Sequence, residues 1–310
     1  MDMQVPQALL HVTEKSALLR TRTTERPEFF FSEQLCAHFD PGTQALFLRW
    51  TPGPRPSFNL RLLGDLDRYC NFVSSTDGSM ECLGERMSLQ YTVLTSGVPG
   101  VFNLGGDLDL FISLIDRQDR DGLLAYGKAC IDVLYRNYVG FGLPLTTISL
   151  VQGECLGGGF EAALSSDIVL AERHARFGFP EILFNLFPGM GAYSFLDRRV
   201  GRRVTEELLS SGKLYSAEEM VSMGVIDHVV DSGQGEAELA TLVKRLGRNR
   251  NGLVGIASAR RRVNGIAYQE LLDVVHLWVD AALRLTSRDL KLMQRLVSRQ
   301  NDMPAPAHIH

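Results

Sequence analysis

Short apolar segments alternate with amphipathic stretches along most of this 310-residue chain. Segments rich in β-branched and aromatic residues predict strands at Ala45–Trp50, 89–95, Thr146–Val151 and 168–171. Apolar residues recur at helical spacing in segments 59–74 and 120–139, and a short helix is predicted at 160–165. Strands that alternate with helices in this way are typical of a crossover α/β fold.

The pattern changes after residue 200. Short helices are predicted at 205–211 and 217–223, followed by a last strand at 225–230. Beyond residue 236 the periodicity is almost wholly helical, and segment 268–299 predicts one long helix or two joined helices. The segments 101–107 and 152–159, which are rich in glycine, are predicted to be loops.

These patterns divide the chain into four regions. They are an irregular N-terminal arm (1–30), an α/β core (31–232), a C-terminal helical region (233–300) and a mobile tail (301–310). His308 and His310 in the tail could pair on a metal ion, but a loose tail is the preferred interpretation.

The composition narrows the classes of function. Hydrophobic residues make up 45% and charged residues 22% of the chain, which is ordinary for a soluble globular protein. Lys and Arg together number 32 against 36 for Asp and Glu, which argues against a nucleic-acid-binding protein. The start of the chain lacks a signal-peptide pattern, and the most apolar stretch, 141–151, is too short to span a bilayer. We therefore expect a cytoplasmic protein.

The cysteines are expected to be free thiols in a reducing compartment. There are five of them, an odd number, and no two have the CxxC spacing of a zinc site or redox motif. Cys155 lies beside a run of glycines, so a role as a nucleophile has to be considered. A small buried thiol in a turn between a strand and a helix is the favoured interpretation.

Two glutamates carry the strongest chemical signal. Glu161 and Glu181 each close a segment that shapes the backbone, and both have apolar neighbours. A carboxylate in apolar surroundings is costly unless it is paired or used in chemistry. The two residues are therefore predicted to form an acid/base pair, although the sequence does not indicate which of them is the acid.

Two glycine-rich loops lie near these glutamates. Gly157, Gly158 and Gly159 lead into the short predicted helix, and Gly105 and Gly106 follow another apolar segment. A tight turn or a close backbone crossing would explain the glycines, but so would backbone N–H groups that stabilise a developing oxyanion. Loops at the carboxyl ends of neighbouring strands converge, so the two loops are predicted to meet.

Three motifs give these features a family context. They are FNLGGD at 102–107, VQGECLGGGFE at 151–161 and FPEILFNLFPGMG at 179–191. Together they resemble the crotonase (enoyl-CoA hydratase/isomerase) superfamily over about residues 40–300. Within it, the chain resembles the diffusible signal factor synthases, which make cis-2-unsaturated fatty acid signals in bacteria.

The resemblance implies a fold and a set of roles. The fold would be an α/β spiral of ββα units, with a C-terminal helical region that covers an acyl pocket and supports a trimer. The N–H groups of Gly106 and Gly158 would form the oxyanion hole, and Glu161 and Glu181 would be the catalytic acid/base pair. Substrate contacts are implied at Leu104, Gly105, Gly157, Phe184, Met190, Gly191 and Trp278.

The resemblance also implies the reaction and the partners. The enzyme would dehydrate a 3-hydroxyacyl thioester and then hydrolyse the thioester to a free acid, with no metal or redox cofactor. The acyl group would arrive on the phosphopantetheine of an acyl carrier protein, with coenzyme A as a substitute. Arginines at 198, 199, 202 and 203, or at 260–262, could dock an acidic carrier, although solvated helix faces are the favoured interpretation. A regulatory contact with a membrane sensor kinase is also implied.

Two other functions stay open from the sequence. A conventional enoyl-CoA hydratase or isomerase would use the same glutamates but would release no free acid. A binding protein that has kept the fold without catalysis is the other alternative. It is disfavoured because both glutamates and both glycine loops are present.

Overall fold

The structure, a computed structural model, describes residues 19–21 and 26–301 of the chain. Its strands are β1 (Leu19–Thr21), β2 (Glu28–Ser32), β3 (Leu35–Asp40), β4 (Ala45–Trp50), β5 (Ser79–Cys82), β6 (Glu85–Ser88), β7 (Tyr91–Ser96), β8 (Val101–Asn103), β9 (Thr146–Val151), β10 (Glu154–Leu156), β11 (Ile168–Glu172), β12 (Arg176–Gly178), β13 (Tyr215–Ser216) and β14 (His228–Val230). Its α-helices are α1 (Leu60–Ser75), α2 (Leu108–Asp116), α3 (Arg120–Tyr138), α4 (Gly158–Leu164), α5 (Ala192–Ser211), α6 (Ala217–Ser222), α7 (Gly235–Gly247), α8 (Arg250–Val263), α9 (Tyr268–Ala282) and α10 (Ser287–Asn301). Short 3₁₀ helices lie at Gly140–Gly142 and Pro180–Phe184.

Eight of the described strands form the main sheet, in the order β1-β2-β3-β4-β7-β9-β11-β14. Strands β4, β7, β9, β11 and β14 pair in parallel, and β1 to β4 form an antiparallel meander at one edge. Parallel neighbours require crossover connections, and helices supply them between the parallel strands. Almost every residue of β9 is buried, as expected for a strand that is covered on both faces.

A second sheet, in the order β13-β12-β10-β8, contains the strands that precede the two glycine loops. Its strands β8, β10 and β12 are parallel, and each follows directly in sequence a strand of the main sheet. A helix then returns the chain to the main sheet. The predicted spiral of ββα units is therefore confirmed, and the loops after β8 and β10 leave neighbouring strands side by side.

The C-terminal helices close one side of this spiral. Helix α9 packs on α3, and α10 packs on α2 and on the 3₁₀ helix Pro180–Phe184. Segment 268–299 forms two helices, because α9 ends at Ala282 and α10 begins only at Ser287. Thr286 caps the second helix, as its N–H and hydroxyl both donate to the Asp289 carboxylate at 2.8 and 2.7 Å. The predicted C-terminal helical region is confirmed.

Several predicted boundaries are wrong. The loop predicted at 101–107 begins with strand β8, and the one at 152–159 contains β10, because both strands are only three residues long. The helix predicted at 205–211 is the end of the 20-residue α5. Its arginine-rich middle obscures the apolar period, and Gly201, with a φ of 74°, interrupts the helical backbone.

The predictions for the two ends of the chain can be compared with the structure only in part. The irregular arm predicted at 1–30 is wrong where the structure describes it, since β1 and the start of β2 are strands of the main sheet. The remainder of that arm lies outside the described residues. The tail predicted at 301–310 also lies outside them, apart from Asn301, which ends α10. No helix among the described residues is long and apolar enough to cross a membrane.

Candidate active site

A cavity of about 490 Å³ lies between the second sheet and helices α1, α3, α4 and α9. Its wall is mainly apolar side chains, and its polar side chains are Tyr69, Tyr126, Asn137, Glu154, Glu161, Ser165 and Glu181. The two glutamates singled out in the sequence, Glu161 and Glu181, both line it, and so do Gly106 and Gly158. The structure thus brings together the predicted acid/base pair and the predicted oxyanion donors.

The loop after β10 owes its shape to glycine. Gly157 has a φ of +50°, a backbone conformation that side chains rarely adopt, and it turns the chain into α4. A Cβ atom on Gly159 would lie 2.2 Å from the carbonyl oxygen of Asn103, so the two strands' loops could not approach as they do. Gly158 opens α4, and the first N–H groups of a helix have no partner within it. The Gly158 N–H is therefore suited to donate a hydrogen bond to a substrate oxygen.

The loop after β8 is held against it. Gly105 has a φ of +97°, its N–H donates to Oδ1 of the fully buried Asn103 at 2.8 Å, and its carbonyl accepts from Phe58 N–H at 2.8 Å. A Cβ atom on Gly105 would lie 2.9 Å from the Gly158 nitrogen. The two loops therefore touch, and Gly106 and Gly158 present their backbone to the same part of the cavity.

Glu161 is a buried carboxylate with backbone support. It lies on α4 with 1% of its surface exposed, and its Oε1 accepts N–H hydrogen bonds from Met190 at 2.9 Å and Ala192 at 3.0 Å. Burial raises its pKa to about 7, because the charged form loses its hydration, and the two N–H donors partly offset that rise. The charged form of Glu161 is thus accessible near neutral pH.

The Glu181 carboxylate is less well supported. It projects from the 3₁₀ helix Pro180–Phe184, and among the described residues its buried Oε2 has no hydrogen-bond partner. Burial raises its pKa to about 8, and the nearby Glu161 carboxylate adds to the rise. The two groups titrate as a pair. Burial and the unpartnered Oε2 therefore favour the protonated form of Glu181, whereas the two N–H donors favour the charged form of Glu161.

Comparison with known proteins assigns this arrangement to a family. Residues 77–261 match the family model described as enoyl-CoA hydratase/isomerase. The chain belongs to the enoyl-CoA hydratase/isomerase family. The predicted crotonase-like fold is confirmed by the same match and by the solved structures below.

Relatives with curated descriptions match over part of their length. Mevalonyl-coenzyme A hydratase SIDH of Beauveria bassiana (strain ARSEF 2860) is 45% identical over 86 residues, which is 28% of this chain and 31% of that protein. The probable mitochondrial enoyl-CoA hydratase 2 of Arabidopsis thaliana is 28% identical over 194 residues, 62% of this chain and 61% of that protein. The match thus spans less than two thirds of either relative.

Solved structures show the same fold. The enoyl-CoA hydratase of Bacillus halodurans superposes with a TM-score of 0.70 at 20% identity, covering 84% of this chain and 99% of that one. Human mitochondrial delta3-delta2-enoyl-CoA isomerase gives the same score and identity, covering 86% and 97%. Pseudomonas aeruginosa DspI gives 0.58 at 20% identity, covering 76% and 90%. Identities this low establish the fold, not the substrate.

The residues predicted to contact the substrate fall into two groups in this enoyl-CoA hydratase/isomerase family member. Leu104, Phe184, Met190 and Trp278 line the cavity. Gly105, Gly157 and Gly191 do not line the cavity but pack closely against groups next to it. A Cβ atom on Gly157 would lie 2.5 Å from Glu181 Oε1, and one on Gly191 would lie 2.6 Å from the Phe195 ring. Glycine at 157 is thus a requirement for placing the Glu181 carboxylate.

The sequence analysis missed the contribution of α3. Tyr126, Cys130, Leu134 and Asn137 recur on one face of that helix and line the cavity. Tyr126 holds the first loop, since its hydroxyl donates to the Phe58 carbonyl at 2.5 Å and accepts from Asp107 N–H at 3.2 Å. The helical period was visible in the sequence, but the pairing of this face with the glycine loops depends on the fold.

Cys155 is not a nucleophile in this structure. Its thiol is fully buried, burial raises its pKa well above the usual range, and it does not line the cavity. The alternative of a buried structural thiol is the one that fits. The possible metal pair in the tail, His308 and His310, lies outside the described residues.

Proposed function

We propose that the protein dehydrates a 3-hydroxyacyl thioester and then hydrolyses it, releasing a cis-2-unsaturated fatty acid that serves as a quorum-sensing signal. One observation carries the proposal: Glu161 and Glu181 lie in one apolar cavity with unequal hydrogen bonding, beside the Gly106 and Gly158 loops. The resemblance of three sequence motifs to the signal synthases supports the choice of product over that of an ordinary hydratase.

The dehydration follows from this arrangement. The thioester carbonyl accepts hydrogen bonds from Gly106 and Gly158, which makes the C2 proton easier to remove. One carboxylate of the pair takes that proton, and the other carboxyl gives its proton to the C3 hydroxyl. The C3–O bond breaks, water leaves and the C2–C3 double bond forms. A single oxyanion donor of this kind is typically worth about 3 kcal/mol.

The proton count of the pair is the same before and after this step. One carboxyl group must be ionised and the other protonated at the start, and the unequal environments of Glu161 and Glu181 produce that state. In the second step, water attacks C1 and the C–S bond breaks. The thiol of the carrier leaves with a proton, and the two glycine N–H groups stabilise the intermediate oxyanion.

The carrier in this proposal is an acyl carrier protein, with coenzyme A as a substitute and no cofactor. The two arginine clusters suggested for docking are engaged in ion pairs within the chain. The pairs join Arg198 to Glu270, Arg199 to Asp227, Arg202 to Glu206, Arg203 to Glu207, and both Arg260 and Arg261 to Asp167. Pairing reduces the charge that either cluster offers, so carrier docking at these clusters stays a prediction.

A homotrimer is part of the proposal. Helix α8 buries none of its described side chains, and its Ile256 and Val263 are 68% and 87% exposed. An apolar helix face that no other described residue covers is suited to contact between subunits. Light scattering after gel filtration measures the mass, and a monomer would contradict the trimer. A contact with a sensor kinase's receiver domain also stays a prediction.

Mass spectrometry tests the reaction. Purified protein and a 3-hydroxyacyl acyl carrier protein should yield a free 2-enoic acid, and Glu161→Gln or Glu181→Gln should abolish its release. The matched control is Glu207→Gln, which removes an exposed carboxylate on α5. A 2-enoyl group that stays on its carrier would favour the second candidate, a conventional hydratase or isomerase, which the family match supports. Free acid from either active-site variant at the wild-type rate would refute both.

A further inference from the structure

The cavity continues beyond the glutamates along α3. Tyr126, in the first half of α3, holds the loop of Gly106, and Asn137, eleven residues later and near the end of the helix, also lines the cavity. Eleven residues of α-helix span about 16 Å. A thioester bound at the Gly106 loop would therefore extend its acyl chain along α3 toward Asn137.

Two polar side chains line the cavity near that far end: Asn137, and Tyr69, whose ring centroid lies 6.0 Å from that of Phe141, just after α3. Tyr69 of α1 and Asn137 both line the cavity and are only 1% and 4% exposed. Within the described part of the chain, neither the Tyr69 hydroxyl nor the Asn137 Oδ1 has a hydrogen-bond partner. Buried polar groups are nearly always paired, because an unpaired one destabilises the folded protein. Two of them at one end of an apolar cavity therefore indicate a polar ligand group.

The neighbours of Asn137 fix which of its atoms is free. Its Nδ2 donates to the hydroxyls of Ser165 and Ser166 at 2.9 and 3.1 Å. The Ser165 hydroxyl donates its own proton to the Ala162 carbonyl at 2.7 Å, so it must accept from Asn137. The amide nitrogen therefore faces the serines, and the acceptor Oδ1 is the atom left without a partner.

We propose that this end of the cavity is a subsite for a hydroxyl group at the tail of the acyl chain. The hydroxyl would donate to Asn137 Oδ1 and accept from the Tyr69 hydroxyl, which satisfies both orphaned atoms with one group. The proposal rests on the proposed use of the cavity for an acyl chain, and it names a substrate class: fatty acyl thioesters hydroxylated at the chain end.

The subsite leaves the acid/base pair untouched. Ser165 follows Glu161 by one turn of chain, about 6 Å along the helix axis, and Asn137 lies beyond Ser165. Tyr69 reaches the cavity from α1, on which the glutamates do not lie. A change at Tyr69 should thus alter which acyl chain binds.

Calorimetry with free fatty acids tests the subsite without requiring turnover. A series of methyl-ended acids is compared with ω-hydroxy acids of equal numbers of non-hydrogen atoms. At the chain length that reaches Tyr69, the hydroxy acid should bind the wild type about tenfold more tightly, as one well-placed hydrogen bond allows. Tyr69→Phe should abolish that preference and should fold normally, since the hydroxyl it removes has no partner among the described residues.

A matched control and two outcomes complete the experiment. Tyr135→Phe removes a tyrosine hydroxyl from α3 outside the cavity and should keep the preference. Equal affinity for both series at every length, or an unchanged preference in Tyr69→Phe, would overturn the subsite. Because binding is measured directly, a preference without any release of 2-enoic acid would uphold the subsite while refuting the proposed reaction.

Discussion

Replacing Glu181 with glutamine should make the protein's stability less dependent on pH. Burial raises the pKa of Glu181 from its ordinary 4.5 to about 8, and repulsion by Glu161 adds to the rise. Between these pH values the folded protein binds more protons than the unfolded chain, so the free energy of unfolding falls as pH rises. Each unit of pKa corresponds to about 1.4 kcal/mol, so Glu181 should account for a loss of a few kcal/mol across this window.

Urea denaturation at several pH values between about 3.5 and about 9 measures this loss. At pH of about 3.5 the wild type and Glu181→Gln should have similar unfolding free energies, because this is well below the ordinary pKa of 4.5 and the wild-type carboxyl is neutral in both its folded and unfolded states. Above pH of about 8 the variant should be more stable by a few kcal/mol, because glutamine has nearly the same shape and never ionises.

The exposed Glu207 on α5 supplies a control. Glu207→Gln removes a carboxylate of the same type, so its stability should follow the wild-type pH profile. Parallel profiles for Glu181→Gln and the wild type would refute the reasoning, since they would mean that water or an unseen donor solvates the Glu181 carboxylate. The measurements require one fixed protein concentration, because association would add to the apparent stability.

Four further predictions use the same geometry. Turnover should follow a bell-shaped pH profile, rising toward pH of about 7 as Glu161 ionises and falling above pH of about 8 as Glu181 loses its proton. A rate that stays constant from pH of about 6 to about 9 would contradict this prediction. Gly157→Ala should displace the Glu181 carboxylate and lower kcat about a hundredfold, measured by product release with folding checked by circular dichroism. Asn103→Leu should leave the Gly105 N–H unpaired and lower kcat about tenfold more than it changes KM. Glu172→Gln should cost about 2 kcal/mol in urea denaturation without changing turnover per folded molecule.

The sequence predicted the site better than it predicted the elements around it. Glu161 and Glu181 could be found because a carboxylate in an apolar segment conflicts with burial, and that conflict is visible in the chain itself. The glycine loops could be found because glycine is disfavoured in both helix and strand. Each of these signals is local, so it does not depend on knowing the fold.

Other parts of the site could not be predicted because they arise from contacts between distant segments. Tyr69 and Asn137 are 68 positions apart and look like ordinary core residues of two amphipathic helices. Their unpaired atoms appear only when α1 and α3 pack against the same cavity. The sequence likewise could not predict which glutamate favours the charged form. The N–H groups that stabilise the Glu161 carboxylate come from Met190 and Ala192, which follow the next two strands of the chain.

Hydrogen-bond donors distinguish a buried structural glutamate, Glu172, from the two glutamates proposed to be catalytic. Glu172 is as buried as Glu161, yet it accepts from the N–H groups of Gly233 and Gly235 at 2.7 and 3.0 Å and from a side-chain amide. Burial favours its neutral form, but these donors outweigh burial and lower its pKa. Glu161 has two donors on one oxygen and a pKa of about 7, whereas the Oε2 of Glu181 has none in the described structure and its pKa is about 8. A group that carries a proton through a reaction must have charged and neutral forms of similar free energy. In this fold Glu181 Oε2 has no donor among the described residues, which raises the free energy of the charged form of Glu181. For the same reason Glu181 lowers the free energy of unfolding at high pH.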